Sequence, residues 1–140
     1  MDNCIFCKII MGYIPSYKIY EDDVVCAFLD IMPVSKGHTL VVPKVHYENI
    51  FDTPEDVLCK IISVIKKITP AVLKAVEAEG FNLGVNNGTI AGQVVEHIHF
   101  HIMPRFNFDR LKLWEGGAYE SEEAEEIQAR ISEEISKIGI

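Results

Sequence analysis

Basic residues are in short supply: 13 Lys and Arg stand against 21 Asp and Glu, a formal net charge of −8. That deficit argues against a nucleic-acid polymer held on a broad basic face, although a few local donors can still hold a small anionic ligand. Long hydrophobic runs are missing as well. No stretch reaches the roughly 18 uninterrupted apolar residues that a membrane span needs, so no membrane role is expected. The first residues do not combine a basic region, an apolar run and a cleavage site, which makes cytoplasmic residence the expectation. No repeat, linker or low-complexity tract breaks the 140 residues, so the chain reads as one domain over 1–140 with its own core. Its 49% apolar and 24% charged residues are ordinary for a soluble globular protein. Much of the acid follows Trp114, from Glu115 to Glu134, and reads as a solvated helix face.

Histidine is also scarce, five in all, yet three fall on alternate positions in Glu96-His97-Ile98-His99-Phe100-His101-Ile102. A strand sends successive side chains to opposite faces, so His97, His99 and His101 share one face and Ile98, Phe100 and Ile102 fill the core face. The outer two Cα atoms then lie roughly 13 Å apart. A single zinc holds its nitrogens at about 2.1 Å, so ligation by this row alone is strained and the three imidazoles are expected to have separate tasks. Groups that titrate near neutrality on a rigid support suit nucleophilic or acid–base chemistry. The alternative is a surface strand with polar residues facing water.

Four further strands are expected at Tyr17 to Glu21, Val24 to Leu29, Thr39 to Val42 and Phe81 to Val85. Thr53 followed by Pro54, Glu55 and Asp56 predicts a helix start with a hydroxyl cap. Val57, Leu58, Ile61, Ile62, Ile65 and Ile68 keep helical spacing, Pro70 should kink or restart the helix, and Gly80 should stop it. Ser121 is expected to cap a last helix with the apolar stripe Ala124, Ile127, Ile131, Ile135 and Ile138. The sum is an α+β domain: an antiparallel five-stranded sheet with two main helices.

Several blocks together resemble the histidine triad (HIT) proteins, which are nucleotide-binding hydrolases and transferases. The carriers are Gly92-Gln93, His97-Ile98-His99-Phe100-His101 and Pro104-Arg105. Cys4-Ile5-Phe6-Cys7-Lys8-Ile9, Ala27-Phe28-Leu29-Asp30-Ile31 with Pro33, Gly37-His38-Thr39-Leu40-Val41-Val42-Pro43-Lys44, and Asn86 with Gly88 match in order and spacing. The chain is most similar to the small bacterial and archaeal form of the Hint-like branch. The resemblance implies the HIT fold, a homodimer with its two sheets joined, and a purine nucleoside monophosphate pocket on each subunit.

By that resemblance His99 is the nucleophile that attacks the α-phosphorus, giving a nucleotidyl-histidine that water resolves. Its other ring nitrogen needs an acceptor, which in the family is a backbone carbonyl. His101 donates to a phosphate oxygen or the leaving group, and His38 packs behind as a hydrogen-bond partner that orients the triad. Gly92 belongs to the nucleotide-binding set, Gln93 supplies neutral hydrogen bonds around the phosphate, and Asn86 is either a ligand there or part of a plain Asn-Asn-Gly turn. Asp30 reads as the ribose ligand, with Ile31 and Phe28 beside the base and Phe6, Ile9, Ile14 and Leu40 as further apolar walls. No catalytic metal is required in this scheme.

Cys4 and Cys7 admit a structural zinc completed by His46 and His97, one per subunit, or reduced thiols, or a disulfide. The bacterial form that the chain resembles binds zinc there. Cys26 and Cys59 read as small hydrophobes. Val94 departs from the family, where many Hint-like relatives have Ser or Thr; the lost hydrogen bond costs about 1.5–3 kcal/mol, so modest activity is expected. Trp114 is a candidate for the partner's pocket or for ordinary interface packing. The candidate substrates are a nucleoside phosphoramidate, an aminoacyl adenylate or a diadenosine polyphosphate. A nucleotide-binding sensor with incidental hydrolysis is the alternative, and a small zinc module a third.

Overall fold

Two strands are apolar on both faces, and the sheet forms around them. Val25–Leu29 (β2) and Thr39–Pro43 (β3) pair antiparallel, with Phe28 opposite Leu40, and all but Leu29 of their residues are buried. Burial on both sides needs cover on both sides, and each cover is a helix. On one face Val25, Ala27, Val41, Ile98, Phe100 and Ile102 pack with Ile61, Val64 and Ile65. On the other, Cys26, Phe28, Leu40 and Val42 pack with Phe6 and Ile9. Each such side chain contributes roughly 1.5–3 kcal/mol when fully buried.

The computed structural model describes residues 3–140. Lys18–Glu21 (β1), β2, β3, Gly80–Val85 (β4) and Phe100–Arg105 (β5) form one antiparallel sheet in the order β1-β2-β3-β5-β4. β5 is thus inserted between β3 and β4, where Leu40 and Gly84 flank His101. The chain divides into two compact units at Asp109–Arg110.

Ile5–Ile10 (α1) is a helix that the sequence reading did not contain. Six residues are too few to show a helical period, and its cap is unusual: Cys4 Sγ accepts from the Cys7 N–H at 3.4 Å. The second helix, Glu55–Val76 (α2), buries Ile61, Val64, Ile65, Thr69 and Val72 along one stripe. Thr53 does not cap it; its hydroxyl donates backward to the Asn49 carbonyl at 2.7 Å, and Pro54 holds the cap position. Nor does Pro70 interrupt it. Pro70 and Lys66 both lie on the exposed face, so the Lys66 carbonyl that loses its donor can turn to water. The helix stops at Glu77, which takes the left-handed conformation (φ 62°), and Gly80 instead opens β4.

The second unit carries Glu123–Ser136 (α3). Glu122, not Ser121, occupies its cap position, and the Glu120 N–H donates to Glu123 Oε1 at 2.9 Å. Its stripe is present as a pattern, yet none of its residues is buried. Cys59 is exposed, unlike the fully buried Cys26. Among the described residues no helix is long and apolar enough to cross a membrane.

Ile61 is fully buried between α2 and the sheet, whereas Ile90 is fully exposed. Ile61→Ala is expected to cost about 2–5 kcal/mol in urea unfolding and Ile90→Ala less than about 0.5; similar losses for the two would contradict this packing.

Candidate functional site

The histidine row begins before its strand. β5 starts at Phe100, so His97 and His99 stand on the irregular approach to it, and only His101 is a paired strand residue. The alternation expected of a strand nevertheless persists: Ile98, Phe100 and Ile102 are buried beneath α2, and the histidines take the opposite face. The approach is held in place by its own side chains. Gln93 is buried; its Oε1 accepts from the Gly88 N–H at 2.9 Å, and its amide donates to the carbonyls of Glu48 (2.6 Å) and Val95 (3.0 Å). The Ile50 N–H donates to Asn87 Oδ1 and the Ile98 N–H to the Tyr47 carbonyl, both at 2.8 Å. Gly92 turns the loop at φ 94°, where a Cβ would press on the Asn86 side chain at 3.4 Å.

These bonds assign protons to rings. His99 Nδ1 lies 2.8 Å from the His97 carbonyl, which can only accept, so Nδ1 carries the hydrogen and Nε2 the lone pair. The second assignment runs through three residues. The Val34 N–H donates to His38 Nδ1 at 3.1 Å, so the proton of His38 is on Nε2. That N–H donates to His101 Nδ1 at 2.9 Å, which leaves the His101 proton on Nε2. His101 Nε2 is buried and has no partner. An unpartnered buried donor is costly, and it marks a place for an acceptor that a ligand can bring. The His99 and His101 rings lie side by side, tilted by 60° with centroids 4.9 Å apart, which puts a lone pair and an N–H on adjacent imidazoles.

Burial favours the neutral forms. It holds His99 and His38 below the ordinary imidazole range, while the Asp30 carboxylate acts in the opposite direction. His101 is pulled down to about 4 by burial first, then by the neighbouring His99 and His38. Asp30 follows β2 with Oδ2 3.7 Å from His38 Nε2, and its Oδ1 accepts from the Met32 N–H at 2.8 Å.

A second cluster adjoins the first. The ligand atoms of Cys4, Cys7, His46 and His97 all lie within 4.8 Å of one another. Cys4 Sγ is 3.4 Å from His97 Nδ1, Cys7 Sγ is 3.5 Å from His46 Nδ1 and 3.6 Å from His97 Nδ1, and the two Nδ1 atoms are 3.2 Å apart. A tetrahedral ion with zinc's bond lengths separates sulfur from nitrogen by about 3.5 Å and two nitrogens by about 3.3 Å. The donor set therefore fits a closed tetrahedral metal site. His97 Nε2 lies 2.8 Å from the Pro43 carbonyl, so its proton is there and Nδ1 is free to ligate. Burial draws His97 down to about 4, the neutral form that a metal needs. Without a metal, burial and the adjacent Cys4 push the Cys7 thiol up to about 11.

Of the residues singled out in the sequence, His38, His99, His101 and Asp30 lie together, and Phe6, Ile9, Phe28 and Leu40 form one buried apolar cluster with Ile14 at its margin, Phe6 touching His99. Ile31 is 78% exposed. Asn86 Nδ2 approaches the Gly92 carbonyl at a long 3.5 Å, which keeps it available, whereas both hydrogens of the Gln93 amide are engaged within the protein. Val94 is exposed beside Gln93. Trp114 is exposed in the second unit. Arg105 is bound to Asp109 and to Asn82. The backbone carbonyl expected opposite His99 is that of His97; the Pro43 carbonyl and the Val34 N–H, which orient His97 and His38, were not among the sequence candidates, because backbone groups leave no residue-type signal.

An open antiparallel sheet with three alternate histidines on one face, the middle one oriented by a carbonyl, defines a histidine triad protein as a class. The HIT domain family model matches residues 12–108. An uncharacterized HIT-like protein of Methanocaldococcus jannaschii is 57% identical over 106 residues, 76% of this chain and 81% of that one. Adenylylsulfatase HINT3 of Arabidopsis thaliana is 46% identical over 110 residues, covering 79% and 56%. Adenosine 5'-monophosphoramidase HNT1 of Candida albicans is 40% identical over 144 residues, covering 97% and 93%. The crystal structure of a HIT family member from Bacillus subtilis matches with a TM-score of 0.84 at 44% identity, covering 94% and 96%. A zinc-bound histidine triad family protein from Mycobacterium smegmatis matches with a TM-score of 0.76 at 35% identity, covering 97% and 98%. The chain belongs to the HIT family.

The buried neutral imidazoles set a pH dependence. In the unfolded chain they bind protons near pH 6.5, whereas His101 in the folded protein resists until about 4 and burial holds His38 and His99 down in the same direction. The unfolded state therefore holds more protons in that window, and their stabilising effect is complete above 6.5 and lost as pH falls towards 4. The melting temperature should drop between pH 7 and pH 5, above the range where ordinary carboxylates titrate. A flat profile there would show that these rings are already charged in the fold.

Proposed function

We propose that this protein hydrolyses purine nucleotide derivatives at the α-phosphate through a nucleotidyl-histidine intermediate on His99. The observation that carries the reading is the pairing of a free His99 Nε2 lone pair with an unpartnered His101 Nε2–H on the neighbouring ring. The lone pair attacks the phosphorus, the Nε2–P bond forms as the bond to the leaving group breaks, and water then reverses the attachment to release a nucleoside monophosphate. The His101 N–H stabilises charge on a phosphate oxygen or the leaving group. Because His38 hands its own N–H to His101 Nδ1, the donor face of His101 stays turned to the substrate.

Asp30 is assigned to the ribose hydroxyls and the apolar cluster to the base, as its floor, while Asn86 and the turn at Gly92 border the phosphate. A phosphoramidate and an adenylate derivative are the substrates that the relatives' names support; a diadenosine polyphosphate is the third candidate. The reading includes a homodimer, and β4, which pairs with β5 alone and exposes Phe81 and Leu83, offers it an edge. It also places the protein in the cytoplasm, where its four free thiols stay reduced. Zinc is the assigned metal of the Cys4, Cys7, His46 and His97 site, where it ties the N-terminal helix to the histidine segment. A sensor role is the second reading, favoured by the absence of a hydroxyl at Val94 and the engaged amide of Gln93.

Mass spectrometry after brief mixing with an adenosine phosphoramidate and a quench at alkaline pH, where a histidine P–N bond survives, should show an adenylate adduct on His99. His99→Asn should lack it and lose at least about 10³-fold in turnover while retaining affinity for adenosine monophosphate. Nucleotide binding with neither adduct nor product would favour the sensor. Replacing Cys4 and Cys7 by Ser should release about one zinc per subunit and lower the melting temperature. A metal-free native protein with unchanged melting would remove zinc from the assignment.

A further inference from the structure

The metal cluster and the nucleophile meet at a single aromatic ring. Phe6 stands between Cys4 and Cys7 on α1 and packs edge-on against His97 (centroids 5.8 Å apart, planes at 80°) and against His99 (5.0 Å, 75°). Its remaining aromatic neighbour is Phe28, at 5.5 Å. Phe6 is only 6% exposed, so it cannot swing aside without moving the helix that carries it. That helix has six residues, and a segment of this length does not hold itself together in water. Its anchors are its packing on β2 and β3 and the cluster formed by its two cysteines with His46 and His97. A second connection runs through the backbone, since the carbonyl that holds the His99 tautomer belongs to His97.

We propose that Phe6 is a positioning residue through which metal held by Cys4, Cys7, His46 and His97 braces the imidazole of His99. The proposal rests on the reading of those four side chains as a zinc site. With the ion bound, α1 is pinned, the Phe6 ring closes one side of the His99 imidazole, and the His99 Nδ1–H stays on the His97 carbonyl. With the ion removed, α1 keeps only its packing. The ring then withdraws, the His99 imidazole gains freedom to turn, and the bond that selects its tautomer weakens. The consequence falls on His99, the imidazole against which Phe6 packs. Metal occupancy would therefore set the fraction of molecules whose Nε2 lone pair is presented for attack.

The test combines nitrogen NMR of histidine-labelled protein with steady-state kinetics on an adenosine phosphoramidate and titration with adenosine monophosphate. The zinc-loaded native protein should show His99 as a single Nδ1–H tautomer. Chelation of zinc, or His46→Asn, which opens the site from the side away from α1, should give mixed His99 tautomers. Either should lower kcat roughly tenfold or more and change nucleotide affinity within about twofold. Phe6→Leu with zinc still bound should give the same mixed His99 tautomers and the same loss of kcat, whatever it does to nucleotide affinity as part of the apolar floor, and it decides the matter if chelation unfolds the chain. A single His99 tautomer and an unchanged kcat in zinc-bound Phe6→Leu would overturn the proposal. A rise in KM alone would make Phe6 only a wall of the base pocket and overturn it equally. Native protein that binds no zinc would instead defeat the metal reading beneath it. The tautomer readout stands whether or not the phosphoramidate is a substrate.

Discussion

Two-residue alternation between Ile98 and Ile102 is the constraint on which the site depends. Ile98, Phe100 and Ile102 are driven beneath α2 by the hydrophobic effect, and chain geometry then turns His99 and His101 to the other face. A slip of one residue would bury imidazoles under α2 and expose three large apolar side chains, a loss of several kcal/mol by area alone. The core thus aims the chemistry. The constraint also holds beyond the regular strand, since His99 keeps its orientation although hydrogen-bonded pairing begins only at Phe100.

Orientation becomes reactivity through hydrogen bonds to groups that cannot change their role. A carbonyl only accepts and a backbone N–H only donates, so the His97 carbonyl and the Val34 N–H set the tautomers of His99, His38 and His101 without any charged residue. Burial reinforces this by keeping the rings neutral. The outcome is a lone pair and a proton side by side, the combination that phosphorus substitution requires. Because His97 is committed at both ring nitrogens, to Pro43 and to the cysteine cluster, it is unsuited to proton transfer, and its part in the site is its backbone carbonyl.

Much of this was legible in the sequence. The histidine row, the short strands, the antiparallel class and the Cys4 and Cys7 pair carry signals of residue type and spacing, and His46 and His97 were named as the completion of that pair. Other features were hidden for identifiable reasons. α1 is too short to express a period. The cap expected of Thr53 failed because its hydroxyl donates backward to the Asn49 carbonyl, and the last helix begins one residue later than a Ser121 cap requires. Pro70 was tolerated because its exposed face leaves the orphaned carbonyl to water.

The sequence by itself determined which residue types exist at alternating, helical or motif spacing, and so the fold class and the imidazoles that are candidates for the chemistry. Tertiary structure alone decided which backbone atom stands opposite each ring nitrogen, that the Gln93 amide is spent on tying two loops together, and that Phe6 touches both a prospective metal ligand and the nucleophile. The reason is physical: periodicity is a local property of a few neighbouring residues. A proton's position on an imidazole and the contact of one ring with another depend on atoms brought together from distant parts of the chain.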